Sequence, residues 1–295
     1  MGPTFVVIGA GRSGTTSIHA YLGQHPEVFV PEKSPNHFVA ADPIPEWEGP
    51  SLRAMARQWV ADPVAYERLF EDAGSATARG DVSPVYLQSV NAPSRIAARY
   101  PGVRIVAILR DPVERAHAHY QGRRRDGLDR RDSFEQVVNE ELARPLPEVV
   151  AFGSYLGCGR YHHFLKPYYD LFPRERIRVY LYEDLQQDAA ALMADLQPFI
   201  GVDRTFRADL SRRGGQTGEI RNPVARLLWT RSVAVRTALR PWLPRGVRDR
   251  AAPIVMRDLH RPSLDPAMRE RLRPLFREDV RRLQELIGRD LSHWL

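Results

Sequence analysis

Three groups of residues in this chain have the types and spacing needed for chemistry on a phosphorylated ligand. The first is the turn "GAGRSGTT" (9–16), which follows the apolar run "FVVI" and leads into a helix-like segment. A glycine-rich turn between strand and helix offers backbone N–H groups and a helix N-terminus to an anion. The second is Arg110, which closes the apolar run "VRIVAIL" (103–109) and precedes the helix start Asp111-Pro112. A guanidinium in that position lies at the carboxyl edge of a sheet strand, where α/β ligands bind, and can grip a phosphate. The third is "PEKSPNHF" (31–38), in which Glu32, Lys33 and His37 can carry protons or charge. An imidazole with an ordinary pKa of about 6.5 is well matched to accepting a proton at neutral pH.

The turn fits two common nucleotide patterns, each with a flaw. Gly9, Gly11 and Gly14 satisfy the dinucleotide G-x-G-x-x-G, and Glu32 falls near the place of a ribose-binding carboxylate. Ile18, however, occupies a helix position that should be small for tight strand packing. That reading implies a nucleotide-dependent oxidoreductase. Residues 9–16 also satisfy the phosphate-loop pattern, except that Thr15 stands where lysine neutralises the β- and γ-phosphates. Such a loop still holds one phosphate-like group but is poorly equipped for a triphosphate. Two strand–turn–helix units in one sheet, each binding one phosphate, suit a nucleotide phosphorylated at two separate positions.

These residues need a scaffold, and the hydrophobic pattern supplies one. Strands are expected at 4–8, 27–33, 103–109 and 176–185, and the segment "GDVSPVYL" (80–87) precedes the helix at 92–99. Helices are expected at 17–23, 62–73, 92–99, from Asp111 onward, and at 132–144, 188–201 and 265–288. The alternation predicts an α/β fold with a three-layer parallel sheet of the P-loop NTPase-like type. From about 210 the texture turns arginine-rich and proline-punctuated. The expected organisation is one domain over 1–295, with a core of about 1–209 and a helical, Arg-rich C-terminal cap.

Composition narrows the function classes. The formal net charge of +7 points to an anionic partner, and the basic side is nearly all arginine, with Lys33 and Lys166 the only lysines. Cys158 is the only cysteine, which excludes an internal disulfide and a cysteine metal cluster and suggests a cytoplasmic location. Nothing in the sequence resembles a signal peptide, so none is expected, and no apolar run approaches roughly 20 residues. His117 and His119 are two apart on an expected helix and share no face, and His162 and His163 are adjacent, so no metal is expected. No nucleic-acid module accompanies the charge. Residues 224–250 mix apolar clusters with recurring arginines, which suits peripheral membrane contact or an acidic acceptor.

The stretches "GAGRSGTTSIHAYLGQHPEVFVPEKSPNHF", "GDVSPVYL" and "VRIVAILRDPVERAHAHY" resemble sulfotransferases that use 3′-phosphoadenosine 5′-phosphosulfate (PAPS), in particular the bacterial and Golgi carbohydrate branch. "RVYLYEDL", "GEIRNPVARLL" and "REDVRRLQELIGRDLSHWL" extend the resemblance over nearly the whole chain. The resemblance implies that Gly11, Arg12, Ser13, Gly14, Thr15 and Thr16 bind the 5′-phosphosulfate and Arg110 the 3′-phosphate. Arg221 matches a late cofactor-contacting arginine. PAPS would be the co-substrate, with no metal, and the acceptor a hydroxyl of a carbohydrate, lipid or small metabolite. Two departures stand out. Ala118 replaces a family serine that contacts the 3′-phosphate, so Arg110 would work with a neighbour such as Arg115 or hold that phosphate less tightly. Ser34 stands where the family carries its catalytic glutamate, which leaves His37, Glu32 and Asp81 as candidate bases, with Arg12 at the bridging oxygen and Lys33 assisting. The same departures admit a third reading, a protein that binds the cofactor without turning it over.

Overall fold

The computed structural model describes residues 1–42, 56–129, 131–143, 153–211, 219–220, 259–260 and 262–295. Arg221 and the stretch 224–250 lie outside the described residues. In chain order the elements begin with strand β1 (Phe5–Gly9), helix α1 (Thr15–Leu22) and the short strand β2 (Val28–Phe29). Next come α2 (Pro63–Arg68), β3 (Ala78–Val82), α3 (Ala92–Arg99) and β4 (Arg104–Leu109). They are followed by α4 (Pro112–Arg125), α5 (Phe134–Leu142), α6 (Tyr161–Leu171) and β5 (Ile177–Leu181). The described chain ends with α7 (Tyr182–Gln187), α8 (Ala189–Ile200), a small pair of strands β6 (Glu219–Ile220) and β7 (Leu259–His260), and α9 (Pro266–Ile287).

The five main strands form an all-parallel sheet in the order β2-β3-β1-β4-β5. Alternation along the strands sorts their side chains to two faces. Val6 and Ile8 of β1 join Ile105, Ala107 and Leu109 of β4 in one core, where α4 contributes Val113, Ala116 and Tyr120. Phe5 and Val7 join Val106 and Ile108 on the other face, covered by Ile18, Tyr21 and Leu22 of α1 and by Leu192, Leu196 and Phe199 of α8. This is the expected three-layer arrangement. The order also displaces the dinucleotide reading, because a Rossmann sheet places β2 beside β1, whereas here β3 lies between them.

Several boundaries differ from the expectations, each for a local reason. The expected strand 176–185 stops at Leu181, where the Asp184 carboxylate accepts from the Leu181 amide at 2.8 Å and turns the chain into α7. Only Val28 and Phe29 of 27–33 find a partner strand. The segment 80–87 supplies the end of β3 and leaves the sheet after Val82. Helix α4 begins as read, with Asp111 accepting from the amides of Val113 and Glu114 at 2.8 and 3.1 Å. Helix α9 lays Met268, Leu272, Phe276, Val280 and Leu283 into the same core as β1 and β4, so this described part of 210–295 shares the main core.

The segment after α4 is fixed by one buried carboxylate. Asp129 accepts from the Arg131 Nε at 2.9 Å and from the Tyr155 hydroxyl at 2.5 Å. Glu141 of α5 then holds the backbone around Tyr155, accepting from the amides of Tyr155, Leu156 and Gly157 at 2.9, 3.1 and 3.3 Å. Burial alone would raise the Asp129 pKa, but the hydrogen bonds from Arg131 and Tyr155 outweigh it and hold the group at about 2, below its ordinary 3.8. A folded-state value below the unfolded one adds stability that is complete above the unfolded pKa and lost as pH falls toward the folded one. Asp129→Asn should therefore cost about 2 kcal/mol at neutral pH in urea unfolding. The gap from the parent protein should close as pH falls from about 4 to about 2. A gap that stays constant across that interval would contradict this assignment.

Candidate functional site

The sheet brings the two phosphate-suited turns together at its carboxyl edge. Strand β1 runs beside β4, pairing Val7 with Val106 and Gly9 with Ala107, and the Ala10 amide donates to the Ile108 carbonyl at 2.7 Å. The turn after β1 therefore lies against the end of β4, where Arg110 emerges. The Arg110 guanidinium reaches the backbone carbonyl of Arg12 at 3.5 Å, pairs with Glu114 at 3.4 Å and lies 4.8 Å over the ring of Tyr182. The Tyr161 hydroxyl donates to the Arg110 carbonyl at 2.8 Å and fixes the backbone at that point.

Within the turn, the chain folds back through a bond from the Ser13 amide to the Ala10 carbonyl at 3.2 Å. Gly14 has φ 94°, and a Cβ there would stand 2.5 Å from Leu185 Cδ2, so both conformation and space demand glycine. Gly14 caps α1 without a side-chain acceptor, and the first amides of a helix lack intrahelical partners. Ser13 is fully buried, and its Oγ has no hydrogen-bond partner among the described residues. A Cβ at Gly11 would meet nothing within 4 Å, so the crown of the turn is open. An unpartnered hydroxyl, uncapped amides and open space beside them fit a phosphate-bearing group. Thr15 is buried and Thr16 exposed on the first turn of α1.

Arg12 sends its side chain to α4. Its guanidinium lies where a Cβ on Gly122 would be, 2.5 Å from the Cζ atom, and its nearest carboxylate is Asp126 at 4.0 Å. Burial lowers its pKa, Asp126 opposes that, and Arg125 and Arg123 lower it further. Glu114, Ala118 and Gly122 stand four apart on one face of α4. Arg110 meets that face at Glu114 and Arg12 meets it at Gly122, with the small, buried Ala118 between them. Arg115 does not share the face. It is 2% exposed and donates to the Tyr155 carbonyl.

The stretch "PEKSPNHF" divides sharply by environment. Glu32, Lys33 and Ser34 are exposed, whereas His37 is half-buried at the start of a short helical turn. The His37 ring stacks on Tyr66 with centroids 4.3 Å apart, and its Nδ1 lies 2.7 Å from the Val60 carbonyl. A carbonyl only accepts, so Nδ1 carries the proton and Nε2 of the neutral ring is the basic nitrogen. Asp81 is fully buried and accepts from the hydroxyls of Ser83, Tyr66 and Tyr86 at 2.6, 2.8 and 2.8 Å. Burial raises its pKa against those three hydrogen bonds. Its place is beneath the His37 turn, where Ser83 Oγ also accepts from the Asn36 amide at 3.0 Å.

The remaining histidines do not assemble. His117 contacts Gln121, while the His162 and His163 amides donate to Asp279 at 3.0 and 3.2 Å. Among the described residues no group of three His, Cys, Asp or Glu side chains could hold a metal ion. No described helix is long and apolar enough to cross a membrane. No motif marks Gly122 or Tyr66, whereas Tyr182 lies within "RVYLYEDL"; the signal at Gly122 is a glycine inside an otherwise helical run.

Comparison with known proteins agrees with this geometry. A family model described as the Sulfotransferase family matches residues 3–206. Human bifunctional heparan sulfate N-deacetylase/N-sulfotransferase 2 is 28% identical over 221 residues, which cover 70% of this chain and 23% of that protein. Human bifunctional heparan sulfate N-deacetylase/N-sulfotransferase 3 is 26% identical over 208 residues, 68% of this chain and 22% of that protein. The chain thus spans less than a quarter of the length of these relatives. A crystal structure of a sulfotransferase from Alicyclobacillus acidocaldarius superposes with a TM-score of 0.76 at 28% identity, covering 100% of this chain and 99% of that one. With a family model matched across residues 3–206, this chain belongs to the Sulfotransferase family.

Proposed function

We propose that the protein transfers a sulfuryl group from PAPS to a hydroxyl of a carbohydrate or small metabolite. The observation that carries this reading is the approach of Arg110 to the Arg12 carbonyl, which joins two phosphate-suited turns into one site. Family membership implies the PAPS co-substrate. Likeness to proteins named for heparan sulfate supports a carbohydrate acceptor. In this reading residues 11–16 hold the 5′-phosphosulfate end and Arg110 holds the 3′-phosphate. The bound donor supplies an activated sulfuryl group on a bisphosphate leaving group.

The chain's own residues would do the rest by positioning and by fixed charge. Amides at the start of α1 and the Ser13 hydroxyl face the anion without having to reorganise. Arg12, seated in the groove that Gly122 leaves open, supplies positive charge toward the leaving oxygen. His37 takes the acceptor proton on Nε2, because Nδ1–H is held by the Val60 carbonyl and the ring by Tyr66. Exposed Glu32 and Lys33 would meet the acceptor only at the rim, and buried Asp81 acts through the turn that carries His37.

Two expected outcomes follow from these roles. Arg110→Ala should weaken adenosine 3′,5′-bisphosphate binding by about 2–4 kcal/mol in calorimetry, while adenosine 5′-monophosphate binding barely changes. Gly122→Ala, which displaces the Arg12 guanidinium, should weaken both nucleotides. Equal sensitivity of both nucleotides to Arg110→Ala would overturn the assignment of the 3′-phosphate.

For the base, His37→Ala should lower kcat by about 10²–10⁴-fold with bisphosphate affinity unchanged, since loss of a general base acts on the transition state. Glu32→Gln should remain near the parent rate. Loss of turnover in Glu32→Gln with His37→Ala fully active would assign the base to the carboxylate instead.

A further inference from the structure

Arg110 is held on several sides by groups that no phosphate-binding motif includes. The first is Tyr182, the opening residue of α7, whose ring lies 4.8 Å from the Arg110 guanidinium carbon. The same ring borders the other turn, since a Cβ on Gly14 would stand 3.2 Å from its Cδ2 atom. Tyr182 therefore borders both halves of the site. The second is Tyr161, which donates to the Arg110 carbonyl at 2.8 Å. The third is Glu114, whose carboxylate is shared between Arg110 at 3.4 Å and Arg269 of α9. Because Arg269 takes part of that charge, Arg110 retains positive charge for an anion.

Residues 289–295 brace both tyrosines from behind. Arg289 forms a two-pronged pair with Asp184 at 2.6 and 2.9 Å, in the first turn of α7. Trp294 donates from Nε1 to Glu183 at 3.0 Å, next to Tyr182, and packs on Tyr161 with ring centroids 6.2 Å apart. Trp294 is 1% exposed and Tyr161 is fully buried, so the brace is part of the core. A planar guanidinium held over a ring face keeps one orientation, with its N–H edge directed away from the ring. A two-pronged phosphate contact depends on that orientation.

We infer that Tyr182, braced by Arg289 and Trp294, orients the Arg110 guanidinium toward the 3′-phosphate and so sets the preference for a 3′-phosphorylated nucleotide. The inference rests on the cofactor reading proposed above. Tyr182 is a positioning residue, since it acts through Arg110. It is expected to govern the ratio of affinities for adenosine 3′,5′-bisphosphate and adenosine 5′-monophosphate. A merely structural role would weaken both nucleotides together and leave their ratio unchanged.

The test measures both affinities by calorimetry for the full chain and for Tyr182→Phe, Tyr182→Leu, Arg110→Ala and the Arg110→Ala/Tyr182→Leu double variant. Tyr182→Leu should lower the bisphosphate-to-monophosphate ratio about tenfold, the scale of one cation–π contact, and Tyr182→Phe should keep the parent ratio. In the Arg110→Ala background the added Tyr182→Leu change should leave the ratio where Arg110→Ala put it. If Tyr182→Leu does not fold, Trp294→Phe serves, because it removes the bond to Glu183 while keeping most of the packing; it should lower the ratio severalfold. A parent-like ratio in the folded Tyr182→Leu protein, or the same drop with and without Arg110, would overturn the positioning role. A parent-like ratio in Arg110→Ala would instead overturn the cofactor reading beneath it.

Discussion

The pairing of β1 with β4 is the constraint on which the site depends. Parallel neighbours point their carboxyl ends the same way, so the turn after β1 and the residue after β4 must meet at one edge. The Ala10 amide, bound to the Ile108 carbonyl at 2.7 Å, fixes how closely they meet. From that point the other features follow. Arg110 can reach the Arg12 carbonyl, α4 can start at Asp111 directly beneath, and the small residues Ala118 and Gly122 can face the turn. Were the two strands not adjacent, each turn could hold an anion but the pair could not recognise one bisphosphate.

A second theme is the separation of charged groups that act from charged groups that hold. Asp81 is fully buried under three hydroxyl donors, and its raised pKa records the cost of burying a carboxylate. What it secures is a turn: Tyr66 beneath the His37 ring, Ser83 on the Asn36 amide and Tyr86 near the Phe38 amide at 3.4 Å. Asp129 does similar work in the segment after α4, through Arg131 and Tyr155. Arg115 completes that region by donating to the Tyr155 carbonyl. Lys33 and Glu32, by contrast, lie exposed on the surface.

How much of this was legible beforehand depended on whether local pattern or packing decided the outcome. The end of β4 at Arg110 was readable because a continuous apolar run meets an Asp-Pro helix start. The turn 9–16 was readable for the same reason, strand pattern followed by glycines. Tyr182 was not, because the apolar run Val179 to Tyr182 continues past the residue at which the strand ends. Only the Asp184 carboxylate, folding back to the Leu181 amide, places Tyr182 on a helix beside Arg110. Burial was equally hidden: Asp81 and Glu32 are both carboxylates in plausible places, and only packing buries the one and leaves the other exposed. The contact of Arg115 with the Tyr155 carbonyl was hidden likewise, since it joins residues 40 apart in the chain.

The central claim is that the two turns hold opposite ends of one bisphosphate nucleotide. A crystal structure of the protein with adenosine 3′,5′-bisphosphate tests it most directly. The account predicts the 5′-phosphate at the start of α1 beside Ser13 and the 3′-phosphate on Arg110, over the face formed by Glu114, Ala118 and Gly122. A nucleotide bound with its 3′-phosphate away from Arg110, or with neither phosphate at the turn after β1, would contradict it.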